Sequence, residues 1–468
     1  MTPDRFQATL DEVRPLADAF VAAGHRIYLV GGIVRDHFVD RELGPDGDID
    51  LTTDARPDEI LAVVRPLAEA VWDTGARFGT IGCIIAGREY EITTHRAEGY
   101  TADSRKPEVS FADAVEADLA RRDFTVNAMA LELPEPRLID PHGGAADLAA
   151  KRLRTPMAPE ESFSDDPLRM MRAARFVAGY GLVPDDDLVA AVTAMATRLE
   201  IVSAERIRDE LDKLIVIDDP AEGLWFLVDT GLVEQFLPEL PSMRLEMDPI
   251  HQHKDVLAHS IAVVGNVRAR TDDGKVTRIT RLAALFHDVG KPKTRSVSKG
   301  KGVSFHHHEV VGARMTRERM GALRYSKDDI EAVTSLVNLH LRFHTYRLGW
   351  SDSAVRRLVR DAGPLLDELI ELTRCDCTTR NKRKAQTLSR RMDELEARIV
   401  ELDAEAEMKA LRPDLDGQAV MDRLGVAPGP VIGRALSFLL ELRIEEGPLG
   451  EDEAGRRLDA WWADQPES

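Results

Sequence analysis

The chain has 468 residues, 62 Lys and Arg against 82 Asp and Glu, and a formal net charge of −20. At 43% hydrophobic it can bury real cores, which excludes global disorder, and its length suits two to four domains. The acidity excludes a uniformly basic nucleic-acid binder, yet the charge is uneven: residues 1–250 carry −22, 251–400 carry +11 and 401–468 carry −9.

The predicted elements run as follows. Ile27–Val30 is a short apolar strand ending in the turn Gly31-Gly32, and Ile33–Val39 is helical. Asp48–Thr53 alternates polar and apolar, the period of a half-buried strand. Pro57 opens a helix running to about Ala70. Thr80–Ile85 and Glu89–Thr93 form a hairpin around Gly87-Arg88, and Tyr100–Glu108 is a polar loop. Ala128–Leu133 is a last strand, leading through Leu138–Asp140 to a turn at Pro141–Gly144. After about residue 160 apolar residues recur at helical spacing, as in Leu168, Met171, Phe176 and in Ile207, Leu211, Leu214. Within that helical part Lys291–Gly302 is a basic, glycine-containing loop, and Pro428-Gly429-Pro430 breaks a late helix pair. No run of 18 apolar residues offers a membrane span, and the start MTPDRFQATL has no apolar signal core, so a cytoplasmic location is expected. Cys83, Cys375 and Cys377 are expected to be reduced thiols.

Two constellations carry chemistry. In the first, Asp48 and Asp50 stand at i and i+2 of a strand, so both carboxylates point to one side. Such a pair suits Mg²⁺, which phosphoryl transfer uses to polarise the attacking hydroxyl and neutralise leaving pyrophosphate. Gly31 and Gly32 let backbone N–H groups approach a triphosphate, and Arg35 adds a guanidinium fork.

This order of elements resembles the nucleotidyltransferase superfamily that includes DNA polymerase β. There a third carboxylate on a neighbouring strand completes the metal site, and Glu91 is the candidate. Arg121-Arg122-Asp123-Phe124-Thr125-Val126-Asn127-Ala128 resembles the RRDFTxNA motif of class II CCA-adding tRNA nucleotidyltransferases and bacterial poly(A) polymerases. Leu138–Leu148, Phe163–Phe176 and Ser203–Leu211 resemble three further segments of that family, in family order. The resemblance implies that Arg122 contacts phosphate and that Asp123 and Asn127 organise the pocket and the ribose. It implies that Asp166 and Arg169 read the base edge, with Arg172 and Arg175 toward the triphosphate; their three-residue spacing puts all four along adjacent faces of one helix. Asp165 stands where the family has Glu. Arg105 and Lys106 fall in the family's flexible loop, whose presence favours full CCA addition.

In the second constellation, His287-Asp288 lies in Phe286–Pro292, with His259 upstream and Asp376 downstream. It resembles an HD-superfamily metal domain. The ligands are then His259, His287, Asp288 and Asp376, with His308 and His340 open as contacts for a second metal or a phosphate. Imidazole and carboxylate suit Ni²⁺, Mn²⁺ or Mg²⁺ activating water for phosphate-ester hydrolysis.

The expected architecture is therefore α+β. A nucleotidyltransferase head occupies 1–155, a nucleotide-selecting helical neck 156–250, an HD domain 251–400 and a helical tail 401–468. The resemblance implies CCA addition to tRNA from CTP and ATP with Mg²⁺. It leaves open poly(A) synthesis, partial A- or CC-addition, and a hydrolytic side activity of the HD domain. A different class, an HD phosphohydrolase with a nucleotide-sensing head, is disfavoured by the intact carboxylate pair. Lys291, Lys293, Arg295, Lys299 and Lys301, with Lys382, Arg383 and Lys384, are the expected tRNA phosphate contacts.

Overall fold

The computed structural model describes residues 4–39, 49–99, 108–245, 255–267, 278–298, 302–343, 350–377, 382–410, 412–446 and 449–465. Among the described residues the head's large sheet and ribbon are built from β1 Ile27–Val30, β2 Ile49–Thr53, β3 Ala70–Trp72, β4 Thr80–Ile85, β5 Arg88–Thr94, β6 Arg96–Gly99, β7 Glu108–Phe111, β8 Ala130–Leu133 and β9 Arg137–Ile139. Seven form one sheet in the order β3-β4-β5-β2-β1-β8-β9, and β6 pairs with β7 as a separate ribbon. Only β2 and β5 are parallel within the large sheet, and that pairing sets Asp50 directly beside Glu91.

Alternation decides which way each strand faces. Ile49 and Leu51 are buried in the head core with Ile81, Tyr90 and Ile92, while Asp50 and Glu91 emerge on the opposite face. The Asp4–Ala22 helix covers the core face with Leu10, Val13, Leu16, Ala17 and Phe20. Its apolar residues recur at helical spacing.

Several local expectations needed correction. The helix from Pro57 ends at Val64, not near Ala70: Arg65 keeps helical backbone, φ −53° and ψ −40°, but Pro66 has no N–H to carry the hydrogen-bond ladder onward. Ala70 starts β3 instead. The hairpin turns at Ala86-Gly87, one residue earlier than expected, with both residues at positive φ and Ile85 paired to Arg88. The loop expected at 100–108 lies outside the described residues up to 107, and Glu108 already belongs to β7. The basic loop from Lys291 is a helical turn, Lys291–Thr294, followed by a small antiparallel pair, Ser296–Ser298 with Gly302–Ser304.

The chain divides into two compact units, residues 1–341 with 367–378 and residues 342–366 with 379–468. In the first, helices follow the head: Pro159–Asp165, Leu168–Tyr180, Ala204–Ile215, Val256–Asn266, Arg278–Phe286, His308–Ala322, Lys327–Leu339 and, at its end, Leu366–Asp376. In the second, Arg398 donates to Asp352 at 2.6 Å, tying the Lys382–Ala410 helix to Asp352–Ala362. Leu415, Val420, Leu439 and Leu458 close a core among Gly417–Leu424, Pro430–Glu446 and Glu451–Ala463. No helix among the described residues is long and apolar enough to cross a membrane.

Candidate active site and metal centre

A cleft of about 400 Å³ opens where the sheet's polar face meets the first helices after the head. Asp50 and Glu91 lie on its floor, and Arg122, Asp123, Asp166, Arg169 and Arg172 line it too. Gly31 adopts φ +73°, and a Cβ there would stand 3.0 Å from Arg122 Nη1 and 3.6 Å from Asp50 Oδ2. Glycine thus leaves space between an arginine and a carboxylate, where a phosphate and a cation would both be attracted. That space, with two exposed carboxylates in register, fits a divalent metal. Asp48 lies outside the described residues.

Asp166 does not share a helix with the three arginines, as expected above. It sits in extended backbone, φ −141° and ψ 101°, between Pro159–Asp165 and Leu168–Tyr180. Pro167 is the cause, since the residue before proline is driven from helical conformation. The break frees the carboxylate to accept from the Leu168 N–H at 3.1 Å and from Arg206 Nη2 at 2.8 Å. Arg169 donates to Ser162 Oγ at 2.8 Å and to the Arg121 carbonyl at 2.5 Å, which fixes its plane. Arg172 donates through Nε and Nη2 to Asp123 Oδ2 at 2.8 and 2.5 Å. Asn127 donates to the other Asp123 oxygen at 2.9 Å. Burial alone would raise the Asp123 carboxyl, but Arg172 and Asn127 outweigh it and hold the group well below the usual range.

Two expected triphosphate contacts are placed elsewhere. Arg35 is buried and donates to Asp36 at 2.8 Å, to Asn127 Oδ1 at 2.5 Å and to the Tyr180 hydroxyl. It does not line the cleft; it braces the glycine turn against the Leu168–Tyr180 helix. Gly32 lies over it, 3.4 Å from Arg35 Nη2 at the Cβ position. Arg175 likewise turns away, donating to Glu210 at 2.9 Å. Arg206 and Asp118 line the cleft but were not singled out from the sequence. Arg206 stands in the quoted Ser203–Leu211 segment, and Asp118 lies four residues before Arg122, a helical partner spacing.

The second constellation also converges. His259, His287 and Asp376 offer one ligand-type atom each, all within 4.8 Å of one another, and so do Asp288, His308 and His340. His287, His308 and His340 each donate Nδ1–H to a backbone carbonyl three residues back, at 2.7, 2.7 and 2.6 Å. A carbonyl only accepts, so in the neutral form of each ring Nε2 turns its lone pair inward. These three Nε2 atoms are buried and have no hydrogen-bond partner among the described residues, although Asp288 lies 3.3–4.0 Å from each. Orphaned imidazole lone pairs beside carboxylates fit divalent metal, with the carbonyls fixing each ring. The field asks for a cation: burial would lower His287, yet Asp288 and Asp376 outweigh it and raise the imidazole to about 9. Burial and the His287 charge push His340 down to about 3, which leaves it neutral. Lys291, expected on tRNA, instead sets its ammonium 2.5 Å from Asp288 Oδ2. His306 and His307 are exposed, and only His308 of that triplet turns inward.

A mixed sheet with a carboxylate pair under an arginine-lined cleft, followed by a helical body with a histidine–aspartate centre, defines a nucleotidyltransferase with an HD domain. Residues 27–154 match the poly A polymerase head domain, 181–243 the probable RNA and SrmB-binding site of polymerase A, and 256–402 the HD domain. The chain is 33% identical over 405 residues to the A-adding tRNA nucleotidyltransferase of Deinococcus radiodurans, covering 84% of this chain and 90% of that one. It is 38% identical over 251 residues to the CCA-adding enzyme of Streptococcus gordonii, covering 53% and 60%. The Bacillus stearothermophilus CCA-adding enzyme solved with CTP shares the fold, with a TM-score of 0.57 and 23% identity over 99% of this chain and 98% of that one. The chain belongs to the tRNA nucleotidyltransferase and poly(A) polymerase family.

Proposed function

We propose that the enzyme adds CCA to the 3′ end of tRNA from CTP and then ATP, releasing pyrophosphate. In each step the terminal hydroxyl of tRNA attacks the α-phosphorus and the bond to the β-phosphate oxygen breaks. The observation that carries this reading is one cleft lined by Asp50, Glu91, Arg122, Asp166 and Arg169, with Gly31 set beside Arg122 and Asp50. Asp50, with Asp48 and Glu91, is the set that would hold Mg²⁺. When bound, the ion supplies polarisation of the hydroxyl and screening of the pyrophosphate charge. Arg122 binds phosphate. Asp166 accepts and Arg169 donates to the base edge, so fixed side chains stand in for a template strand. Asp123 and Asn127 hold Arg172 and the pocket wall in place.

A second reading, addition of the terminal A alone, is favoured by the long alignment with the A-adding enzyme. One assay separates them. tRNA lacking CCA and tRNA ending in CC are each incubated with Mg²⁺ and CTP, ATP or both. Full CCA on the first substrate supports the proposal. AMP transfer only onto the CC end supports the second reading, and long A tracts indicate poly(A) synthesis. No incorporation on any substrate would sink the transferase assignment.

In the basic stretch, Lys293 and Arg295 are exposed, which supports their role on tRNA phosphates in the cytoplasm. Lys299 and Lys301 lie outside the described residues, as do the side chains of Lys382 and Lys384; Arg383 is exposed. Replacing Lys293 and Arg295 with Ala is expected to weaken tRNA binding at low salt and reduce the salt slope by about 1–2. An unchanged slope in a salt titration would exclude the contact. The HD centre is read as a divalent-metal phosphohydrolase site held by His259, His287, Asp288 and Asp376, with His308 and His340 on a second ion.

A further inference from the structure

We propose that Asp118 is a positioning residue for Arg122, presetting its guanidinium to receive the triphosphate; this rests on reading the cleft as a nucleotide-transfer site. Asp118 lies on the Val115–Ala120 helix, one turn before Arg122, and is only 2% exposed. One of its oxygens accepts from Arg122 Nε at 3.3 Å and from Nη2 at 3.2 Å. Those two nitrogens form one edge of the guanidinium. The remaining nitrogen, Nη1, is the atom 3.0 Å from the place a Gly31 Cβ would take. The fork is thus tied along one edge and presents the other to the glycine turn and Asp50. A planar fork fixed before its ligand arrives has less freedom to lose on binding.

Asp118 is itself anchored. Its other oxygen accepts from the Arg96 backbone N–H at 3.3 Å and lies 3.5 Å from Arg121 Nε. Arg96 in turn donates Nη2 to Thr80 Oγ1 at 2.7 Å on the cleft wall. The contacts seen on this carboxylate are with nitrogen donors, and it is buried, whereas Asp50 and Glu91 are exposed. It therefore belongs to the arginine scaffold, apart from the metal-binding pair.

The sign of the effect separates positioning from simple charge. Asp118 is an anion beside a site for a highly charged anion. Were it a bystander, its removal would tighten phosphate binding through lost repulsion. As a positioning residue, its removal weakens binding. The experiment is calorimetric titration of the full chain with CTP, ATP and inorganic pyrophosphate in Mg²⁺. Wild type, Asp118→Asn, Arg122→Ala and the double variant are compared, with melting temperatures. Asp118→Asn is expected to weaken all three ligands by about tenfold, the loss of a charge-assisted pair, with the CTP-to-ATP ratio unchanged. In the Arg122→Ala background it should cause no further loss of affinity, since coupled residues are non-additive. Unchanged or tighter binding, a shifted CTP-to-ATP ratio, or fully additive losses would each overturn the proposal. So would a lowered melting temperature with wild-type affinities in the folded fraction. Should the wild-type enzyme transfer no nucleotide yet bind pyrophosphate with this same dependence on Asp118, the transfer reading falls and the positioning role stands.

Discussion

Asp50→Asn is expected to lower nucleotide incorporation by at least about 10³-fold while leaving the melting temperature within about 1 °C. The carboxylate is exposed on the polar face of β2, so the amide costs little packing. Its lost charge removes half of the pair it forms with Glu91 across the parallel register. Glu91→Gln should follow in direction with a smaller loss if it completes the site from the neighbouring strand. Incorporation rates measured with CTP and ATP on tRNA lacking CCA decide the matter. Turnover near wild type in Asp50→Asn would remove the carboxylates from the reaction.

The second large effect concerns the histidine–aspartate centre. Asp288 faces both ligand groups, 3.3 Å from His287 and from His308. Asp288→Asn is expected to reduce bound divalent metal per chain and to lower Mn²⁺- or Ni²⁺-supported phosphate-ester hydrolysis by about 10²-fold or more. CMP and AMP transfer should stay within about twofold, because the cleft residues lie outside this centre. Elemental analysis reads the first outcome, and a 2′,3′-cyclic nucleotide assay reads the second. A wild-type chain that holds metal but hydrolyses nothing would make the centre structural.

Much of the molecule was legible in advance, and the residues show why. Gly31-Gly32 between an apolar strand and a helix, and the alternation in Asp48–Thr53, are local signals with local causes; the turn formed, and the strand runs over Ile49–Thr53, buried on both faces at Thr52 and Thr53. Pro66 and Pro167 carried equally local information that a reading by apolar period alone passes over. The β6–β7 ribbon was harder. Its strands are short and polar, and pairing, not periodicity, makes them strands. The site followed the same division. The family resemblance pointed to Arg122, Asp123, Asp166, Arg169 and Arg172, all of which line the cleft, but not to which acid takes which arginine. Arg35 and Arg175 looked like phosphate forks until Asn127, Tyr180 and Glu210, far along the chain, took up their donors. Lys291 looked like surface charge until folding brought it against Asp288.

The return of the chain to its first compact unit at 367–378 has a consequence for the order of manufacture. Every described residue assigned to nucleotide transfer lies between Gly31 and Glu210. As the ribosome releases the chain from its N-terminus, the whole transfer cleft can assemble while the later half is still unmade. The metal centre cannot. Its candidate ligands run from His259 to Asp376, and residues 342–366 must emerge between them into a different unit. A nascent or truncated chain ending between residues 211 and 375 therefore carries every described residue that lines the cleft but lacks Asp376 of the histidine–aspartate group.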